Sequence, residues 1–522
     1  MPIRKVVVHF LQNVSYSSLK KWTLGVLLVL LTASIVSCIG IKSQIKQHTG
    51  GNTEIVDSSK FKISPSPLAI KNVSVLSADC SKMEDSLTVL VKNGKIVNVA
   101  KDVSITSEYK IIDASGKYLI PGLIDTHTHL QRSKNDLLLY LANGVTQILN
   151  NNSDQDNILL QWRKEAEEGS LSPRIYIAAG GMSSKKGFLQ TLKTWFGDSK
   201  KYNTVKQGKK AVKKFKTQGY DAIKIYNLDK EVYYAVVKEA KKQNIPTMGH
   251  LPPSADLSDL FITGQEQLAH VEEITKATMR QLNGLHSGNA REYLDYLNEN
   301  ADSIAIKLKV NSVTVSTTLF IIESIPKQNF ELRNFLRSIE LEYQNPGQIE
   351  GSFLAKGWLP GNNHYENLEA KNDPELMKNL KVFWTTYVEA MNIMTRSLVK
   401  NGVPLVVGTD SNGTGVVAGF SLHDELESLN EIGMSTKQVL KAATASPGEW
   451  MHSNSGKIEI GYTADLVLLD KNPLKDIRNS RAINAVITNG KLLDRLTLDK
   501  ILQSIKNANN NSREINIDEF ID

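Results

Sequence analysis

The sequence predicts an α/β protein: a (β/α)8 TIM-type barrel with a small β-sandwich domain formed from segments at both ends of the chain. Eight short apolar runs alternate with helical segments in the middle of the chain, which is the strand count of such a barrel. Segments with β-like alternation flank this region on both sides. At 522 residues the chain is long enough for one large domain and one smaller one.

The predicted barrel spans residues 119–452. Its strands are expected at 120–126, 145–150, 174–179, 221–226, 245–250, 266–271, 312–319 and 403–410, with helices over 136–143, 228–243 and 374–401 among the connections. A doubly wound sheet is the alternative, because it has the same alternation of strands and helices.

Two of the connections are unusually long. Residues 180–209 follow the third predicted strand and carry Trp195 and Phe196, whereas residues 319–375 follow the seventh and carry Trp358 and Tyr365. In a barrel both connections lie on the C-terminal face, where active sites are built. We therefore expect them to shape a substrate pocket.

The flanking β segments, 66–118 and 453–497, are predicted to pair into the small β-sandwich. They are rich in β-branched residues, and "KNGK" at 92–95 has the composition of a turn. Residues 42–65 are expected to be a polar tether. Residues 498–522 are expected to be a poorly ordered polar tail.

Residues 1–41 have the composition of a signal or membrane-anchor segment. Lys20 and Lys21 precede an apolar stretch, 22–41, of about the length of a membrane span. Its end, "IVSC", resembles a bacterial lipobox, which implies lipidation of Cys38. An uncleaved signal anchor is the alternative. Either one predicts a protein of the cell envelope, bound to a membrane through its N-terminus with its body outside the cytoplasm.

The charge of the chain argues against a nucleic-acid partner. Subtracting the four basic residues of 1–37 from the net charge of +7 leaves +3, which is small for this length. No interleaving of basic and aromatic residues is found either. Only Cys80 remains besides Cys38, so a disulfide framework is excluded.

Titratable side chains stand at or near the ends of the predicted strands. The first strand ends in His-Thr-His, and residues two apart on a strand point to the same side. Imidazoles that converge in this way suit a divalent metal. The residues concerned are His127, His129, Lys224, His250, His270 and Asp410.

Each of these residues also has an ordinary structural explanation. A single histidine is more often a hydrogen-bonded core or surface residue, and Asp410 could cap the next helix. Lys224 is harder to explain in that way, because an unpaired lysine in a buried strand is costly. Tyr226 follows it by two residues, faces the same side and is a candidate for substrate contact. His286, His364 and His423 are interpreted as non-catalytic.

The motifs "PGLIDTHTHL", "AIKIY" and "VGTDS" resemble the amidohydrolase superfamily of metal-dependent hydrolases over roughly residues 66–495. Within it the chain is most similar to the branch of imidazolonepropionase-like proteins and Xaa-Pro dipeptidases. The resemblance implies that His127, His129 and Asp410 hold one metal ion and that His250 and His270 hold a second. A carboxylated Lys224, formed with CO2, would bridge both ions.

This resemblance predicts hydrolysis of a C–N bond in an amide, a peptide or a cyclic amide through a binuclear metal-bound hydroxide. Asp410 would accept the proton of the water and deliver it to the leaving amine. The partner would be a small-molecule or dipeptide-like substrate, and zinc is the metal that the ligands favour. A lactonase or phosphotriesterase on the same site and an inactive membrane-tethered binding protein remain alternative functions. The sequence is also compatible with a homo-oligomer.

Overall fold

The computed structural model describes residues 39–61, 63–151, 157–184 and 201–521. Cys38, Trp195 and Phe196 lie outside the described residues, as does almost all of the predicted anchor segment. Within these ranges, no helix is both long enough and apolar enough to cross a membrane.

Eight parallel strands form the centre of the molecule, in the order that the sequence predicted. They are β6 (Leu123–Thr128), β7 (Val145–Asn150), β8 (Arg174–Ser183), β9 (Ala222–Asn227), β10 (Thr247–Gly249), β11 (Gln267–Leu268), β12 (Thr314–Ser316) and β13 (Leu405–Val406). Strands β6 to β10 form one sheet in sequence order, and β11 to β13 form another. The α/β class and the eight strand positions are therefore confirmed.

Backbone hydrogen bonds connect the edges of these two sheets. At one junction the Thr126 amide donates to the Val407 carbonyl over 2.9 Å, which links β6 to the residue after β13. At the other junction the Ala269 amide donates to the Gly249 carbonyl over 2.9 Å, which links β10 to the residue after β11. The carboxyl ends of the strands consequently face one side of the molecule, as expected for parallel strands.

The apolar run that precedes the His-Thr-His sequence is divided between two sheets. Its first part forms β5 (Tyr118–Pro121), which pairs with a strand from the C-terminal part of the chain. Gly122 separates β5 from β6, and a Cβ atom at this position would lie 1.9 Å from Thr146 Oγ1. The close approach of β7 therefore requires glycine at the point where the chain enters the parallel sheet.

Segments from both ends of the chain share one further sheet of eight strands. Its members are β1 (Leu68–Leu76), β2 (Met83–Lys92), β3 (Lys95–Ala100), β4 (Lys110–Asp113), β5, β14 (Leu466–Leu469), β15 (Ile483–Thr488) and β16 (Lys491–Asp494). The antiparallel pairing of β5 with β14 joins the two chain ends. Hydrogen bonds connect all eight strands of this small β domain, which has its own apolar core.

The predicted helices are observed within one or two residues of their expected ends. The helices of the connections are Asp136–Ala142, Ile158–Glu167, Val205–Thr217, Lys230–Lys242, Leu257–Thr263, Glu272–Gln281, Ala290–Val310, Leu319–Phe330, Leu332–Arg337, Pro346–Glu350, Pro374–Lys400, Phe420–Glu431, Thr436–Ala443 and Ala445–Trp450. Most of the long connection after β12 is thus helical rather than an extended loop. Its apolar residues form a separate cluster around Phe335 and the buried Trp358.

The C-terminal segment differs from the expected polar tail. Residues Arg495–Ser512 form a helix that buries Leu498, Ile501 and Ile505 on one face, and a short helix, Asp518–Ile521, follows. The Asn509 side chain donates to the carbonyl oxygens of residues 342–344, in the connection after β12. Polar residues dominate this sequence, yet the spacing of its few apolar residues is that of an amphipathic helix.

The N-terminal segment also differs from a free tether. Residues 39–48 form a helix, and the residues that follow bond to the folded body. Thr53 Oγ1 donates to the Asn345 side chain over 2.8 Å, and the Val56 amide donates to the Asn135 side chain over 2.9 Å. Contacts with partners so distant in the sequence leave no periodic signal in a short polar stretch, which is why this docking was not predicted.

Candidate metal centre

Strands β6 and β13 together position two histidines and a carboxylate. His127 is fully buried in β6, and His129 follows two residues later on the same side of the chain. The carboxylate of Asp410, beyond the end of β13, lies 2.7 Å from His129 Nε2 and 3.4 Å from His127 Nε2. The alternation along β6 therefore brings both imidazoles to one carboxylate, as the sequence predicted.

The backbone around Asp410 is held in an uncommon conformation. Asp410 has a positive φ of 60°, and its amide donates to the His127 carbonyl over 2.8 Å. Aspartate is one of the few residues besides glycine that enter the left-handed region at modest cost. This turn directs the carboxylate toward the imidazoles rather than toward a following helix, because the next helix begins only at Phe420.

A second carboxylate, Asp125, ties the same two strands together. It is completely buried and accepts hydrogen bonds from the His127 amide over 3.0 Å and from the Thr409 hydroxyl over 2.7 Å. Burial raises the pKa of Asp125 to about 7, although these hydrogen bonds oppose the shift. Asp125 thus fixes the backbone at His127 and at Thr409, the residue before Asp410.

Lys224 and His270 approach the same point from β9 and from the end of β11. Lys224 Nζ lies 3.3 Å from His127 Nε2, and the rings of His127 and His270 are 4.4 Å apart between centroids. The His250 ring, after β10, lies 5.1 Å from that of His270. The structure therefore brings together all six residues that the sequence singled out.

Burial dominates the electrostatics of these groups. It lowers the pKa of His127 well below its usual value and that of His270 to about 3, so both imidazoles are neutral. Burial also lowers the pKa of Lys224 to about 8, against the attraction of Asp410 and Glu273. Burial opposes ionisation of Asp410, but its contact with His129 Nε2 holds the pKa of this carboxyl well below the usual range. Neutral imidazoles and an ionised carboxylate are the protonation states that bind metal ions.

Two residues that orient the histidines were not predicted. Glu273 accepts a hydrogen bond from His250 Nδ1 over 2.9 Å and another from the Leu251 amide over 2.9 Å. Burial opposes ionisation of Glu273, but the bond from His250 brings its pKa down to about 2. Thr318 Oγ1 lies 2.8 Å from His270 Nδ1. Each contact engages Nδ1 of the ring and leaves Nε2 available to a metal ion, which is the usual arrangement of metal-binding histidines.

The donor atoms satisfy a simple test for a metal ion. One ligand atom each from His127, His270 and Asp410 lie within 4.8 Å of one another. His127 faces this group with Nε2, which lies 3.4 Å from the Asp410 carboxylate and 3.3 Å from Lys224 Nζ. Nitrogen and carboxylate donors in this arrangement suit Zn²⁺ or a similar divalent ion.

The remaining predicted residues lie in different settings. Tyr226 is 43% exposed and stands edge-on to the His250 ring, with 4.6 Å between centroids, next to the centre as expected. His423 is buried away from the centre, between the Ser480 hydroxyl and the Asn143 carbonyl, which agrees with its interpretation as structural. His286 and His364 are exposed in connections.

Comparison with known proteins identifies the family. The profile of the Amidohydrolase family matches residues 118–493. A 5'-deoxyadenosine deaminase of Methanosphaera stadtmanae is 23% identical over 458 residues, which are 82% of this chain and 93% of that protein. The deaminase thus aligns with both the parallel strands and much of the composite sheet.

Solved structures show the same fold. Bottromycin amidohydrolase superposes with a TM-score of 0.66 at 20% identity and covers 89% of this chain and 96% of its own. A Xaa-Pro dipeptidase with methionine bound in its active site superposes with a TM-score of 0.57 at 16% identity, over 82% of this chain and 100% of its own. At 16–20% identity, these likenesses show that the fold is shared. The chain belongs to the amidohydrolase family of metal-dependent enzymes and is a hydrolase that acts on carbon–nitrogen bonds.

Proposed function

We propose that the protein hydrolyses an amide, peptide or cyclic-amide bond of a small-molecule or dipeptide-like substrate, at a site that holds two divalent metal ions. The observation that carries this proposal is the convergence of four imidazoles, a carboxylate and a buried lysine from five strand ends. A structural role for these residues does not account for a buried lysine whose ammonium nitrogen lies 3.3 Å from an imidazole nitrogen, His127 Nε2. We further propose that the eight parallel strands close into a (β/α)8 barrel, as the bonds at both sheet junctions support.

In this proposal His127, His129 and Asp410 would hold one ion, and His250 and His270 would hold the other. Lys224 would serve both as a carbamate, which forms when its neutral amine attacks CO2 and loses a proton. The lowered pKa of Lys224, about 8, supports this step because it makes the nucleophilic amine available near neutral pH. Bound there, two zinc ions would acidify a shared water and polarise the scissile carbonyl.

The protein's own groups then position the reactants and move the proton. Asp410 accepts a proton from the attacking water at its carboxylate and later donates it to the departing amine nitrogen. Its lowered pKa means that the carboxylate is ionised before the reaction begins. Glu273 and Thr318 keep the His250 and His270 rings in the required orientation through their bonds to Nδ1.

Deamination is a second candidate reaction of the same C–N class. The relatives named 5'-deoxyadenosine deaminase align over most of this chain and support it. The zinc-loaded enzyme should be assayed against dipeptides, N-acyl amino acids, hydantoin-like rings, lactones, a phosphotriester and 5'-deoxyadenosine. Turnover of an amide or a cyclic amide, lost in Asp410→Asn, is expected. Turnover of only lactones or phosphotriesters would refute the proposal, and turnover of only the nucleoside would favour deamination.

We also propose that the protein is a lipoprotein of the cell envelope, anchored through Cys38. The basic flank, the apolar stretch 22–41 and the "IVSC" sequence support this. Labelled palmitate should enter the wild-type protein and not the Cys38→Ala variant. A mature protein whose mass includes Met1 would instead establish an uncleaved anchor.

A further inference from the structure

A cavity of about 720 Å³ lies beside the metal centre and plays no part in the chemistry described above. Four separate parts of the chain line it. Gln131 follows the histidines of β6, Asn412 follows Asp410, and Lys356, His364 and Tyr365 belong to the connection after β12. His48, from the N-terminal helix, lines it as well.

Hydrogen bonds show that this cavity adjoins the candidate ligands. The Asn412 side chain donates to the His129 carbonyl over 2.9 Å, and the Gly413 amide donates to the Asp410 carbonyl over 2.9 Å. Burial raises the pKa of Tyr365, and the charge of Asp410 raises it further, so the phenol lies within electrostatic range of that carboxylate. A substrate with its scissile bond at the metal centre would therefore extend into the cavity.

The lining of the cavity favours an anion. Basic or imidazole groups come from Lys356, His48 and His364, and carboxylates are missing from the described lining. The Lys356 ammonium makes a 3.4 Å hydrogen bond to the Asn363 carbonyl, and an ammonium has three protons to donate. His48 Nδ1 is buried and has no hydrogen-bond partner among the described residues. These groups could each contact a carboxylate of a ligand.

Packing against the connection after β12 and against the residues after β6 fixes the position of His48. The Phe353 amide donates to Gln44 Oε1 over 2.9 Å, and the Arg132 amide donates to the Thr49 carbonyl over 3.0 Å. A Cβ atom on Gly347 would lie 1.9 Å from the Gln47 carbonyl oxygen, so the two backbones are in direct contact. The segment that leads from the anchor is thus part of the cavity wall.

We propose that this cavity is the subsite for an anionic group of the substrate, a carboxylate, and that the N-terminal segment completes it through His48. Lys356 would pair with the carboxylate, and His48 would contact it from the N-terminal segment, which packs against the connection after β12. The inference rests on the proposed hydrolysis at the adjacent metal centre. A carboxylate subsite narrows the expected substrates to N-acyl amino acids, including dipeptides, that carry a free carboxylate.

Lys356→Gln tests the pairing, with Lys378→Gln as the control at another exposed lysine. Each protein is assayed with matched N-acyl amino acids and N-acyl alkylamines, which lack the carboxylate. We expect the wild type and the control to prefer the carboxylate by at least about tenfold in kcat/KM, the scale of one charged hydrogen bond. Lys356→Gln should abolish the preference, because the loss in kcat/KM should fall on the carboxylate substrate. Equal losses for both substrates would overturn the inference.

His48→Leu tests the contribution of the N-terminal segment, with His286→Leu as the control at an exposed histidine. We expect a higher KM for the carboxylate substrate at unchanged kcat, metal content and melting temperature. An unchanged KM would overturn the role of the segment in the subsite.

Binding measured by isothermal titration separates this inference from the proposed function. If N-acyl amino acids bind about tenfold more tightly than alkylamines but neither is hydrolysed, the subsite stands and the proposed function fails. If both are hydrolysed and bind equally, in the wild type and in Lys356→Gln, the subsite fails and the proposed function stands.

Discussion

Replacing Asp410 by asparagine separates proton transfer from structure. The substitution preserves the shape of the side chain and one oxygen that can face His129. In the wild type, His129 Nε2 lies 2.7 Å from the Asp410 carboxylate. Asparagine also tolerates the positive φ of 60° at this position. The backbone bonds from Asp410 to His127 and from Gly413 to Asp410 do not involve the side chain and are retained. What the variant loses is the group that accepts a proton.

The expected loss follows from the role assigned to this carboxylate. General acid–base assistance contributes about 10²–10⁴-fold, or roughly 3–5 kcal/mol of transition-state stabilisation. We therefore expect kcat to fall by that factor, while the melting temperature stays within a few degrees of the wild type. Asparagine is as good an N-cap as aspartate, so a role in capping alone predicts an unchanged rate.

The assay combines steady-state turnover, metal content and thermal unfolding on the same preparation. A variant that keeps both metal ions and a near-normal kcat would refute the assignment of proton transfer to Asp410. Serine-to-alanine replacement at Ser411, the next residue, provides a control for local disturbance. Ser411 contacts Tyr140 rather than a candidate ligand.

Three further results are expected. Glu273→Gln should weaken the binding of one metal ion by about 10–100-fold, because His250 loses its charged partner. The control Glu272→Gln should not weaken it, and equal metal affinities of the two variants in chelator competition would contradict this. Metal-free protein should gain stability between pH 8 and 10.5, because the unfolded chain holds the Lys224 proton over that range and the folded chain does not. The gain should be roughly 3 kcal/mol relative to Lys224→Met by urea unfolding, and identical pH profiles would contradict the burial of a neutral amine. Gly122→Ala should lower the melting temperature strongly, because its methyl group would overlap Thr146, whereas Gly116→Ala, in an open turn, should change it less.

The strand positions and the six candidate ligands could be predicted because each depends on local periodicity. His127 and His129 lie on one side of a strand by alternation alone, and the end of each parallel strand faces the same side of the sheet. Lys224 was conspicuous because a lysine within an apolar strand needs an explanation. The amidohydrolase resemblance added the division of these ligands between two metal ions, which spacing does not provide.

The supporting residues could not be predicted for a physical reason. Glu273 stands in the first turn of a helix, where an acidic residue is expected from the helix dipole whether or not it holds a histidine. The docking of the N-terminal segment and of the C-terminal helix depends on contacts between residues far apart in the chain, with separations such as 79, 167 and 292 residues. Such contacts are decided by tertiary packing and leave no local pattern.

The content of metal in the purified protein tests the central claim most directly. Protein prepared without chelators and in the presence of bicarbonate should contain two divalent ions per chain by elemental analysis. Lys224→Met, which fills the same space but cannot form a carbamate, should contain one ion or none. A single ion per chain in the wild type, with the same content in Lys224→Met, would contradict a binuclear site bridged by Lys224.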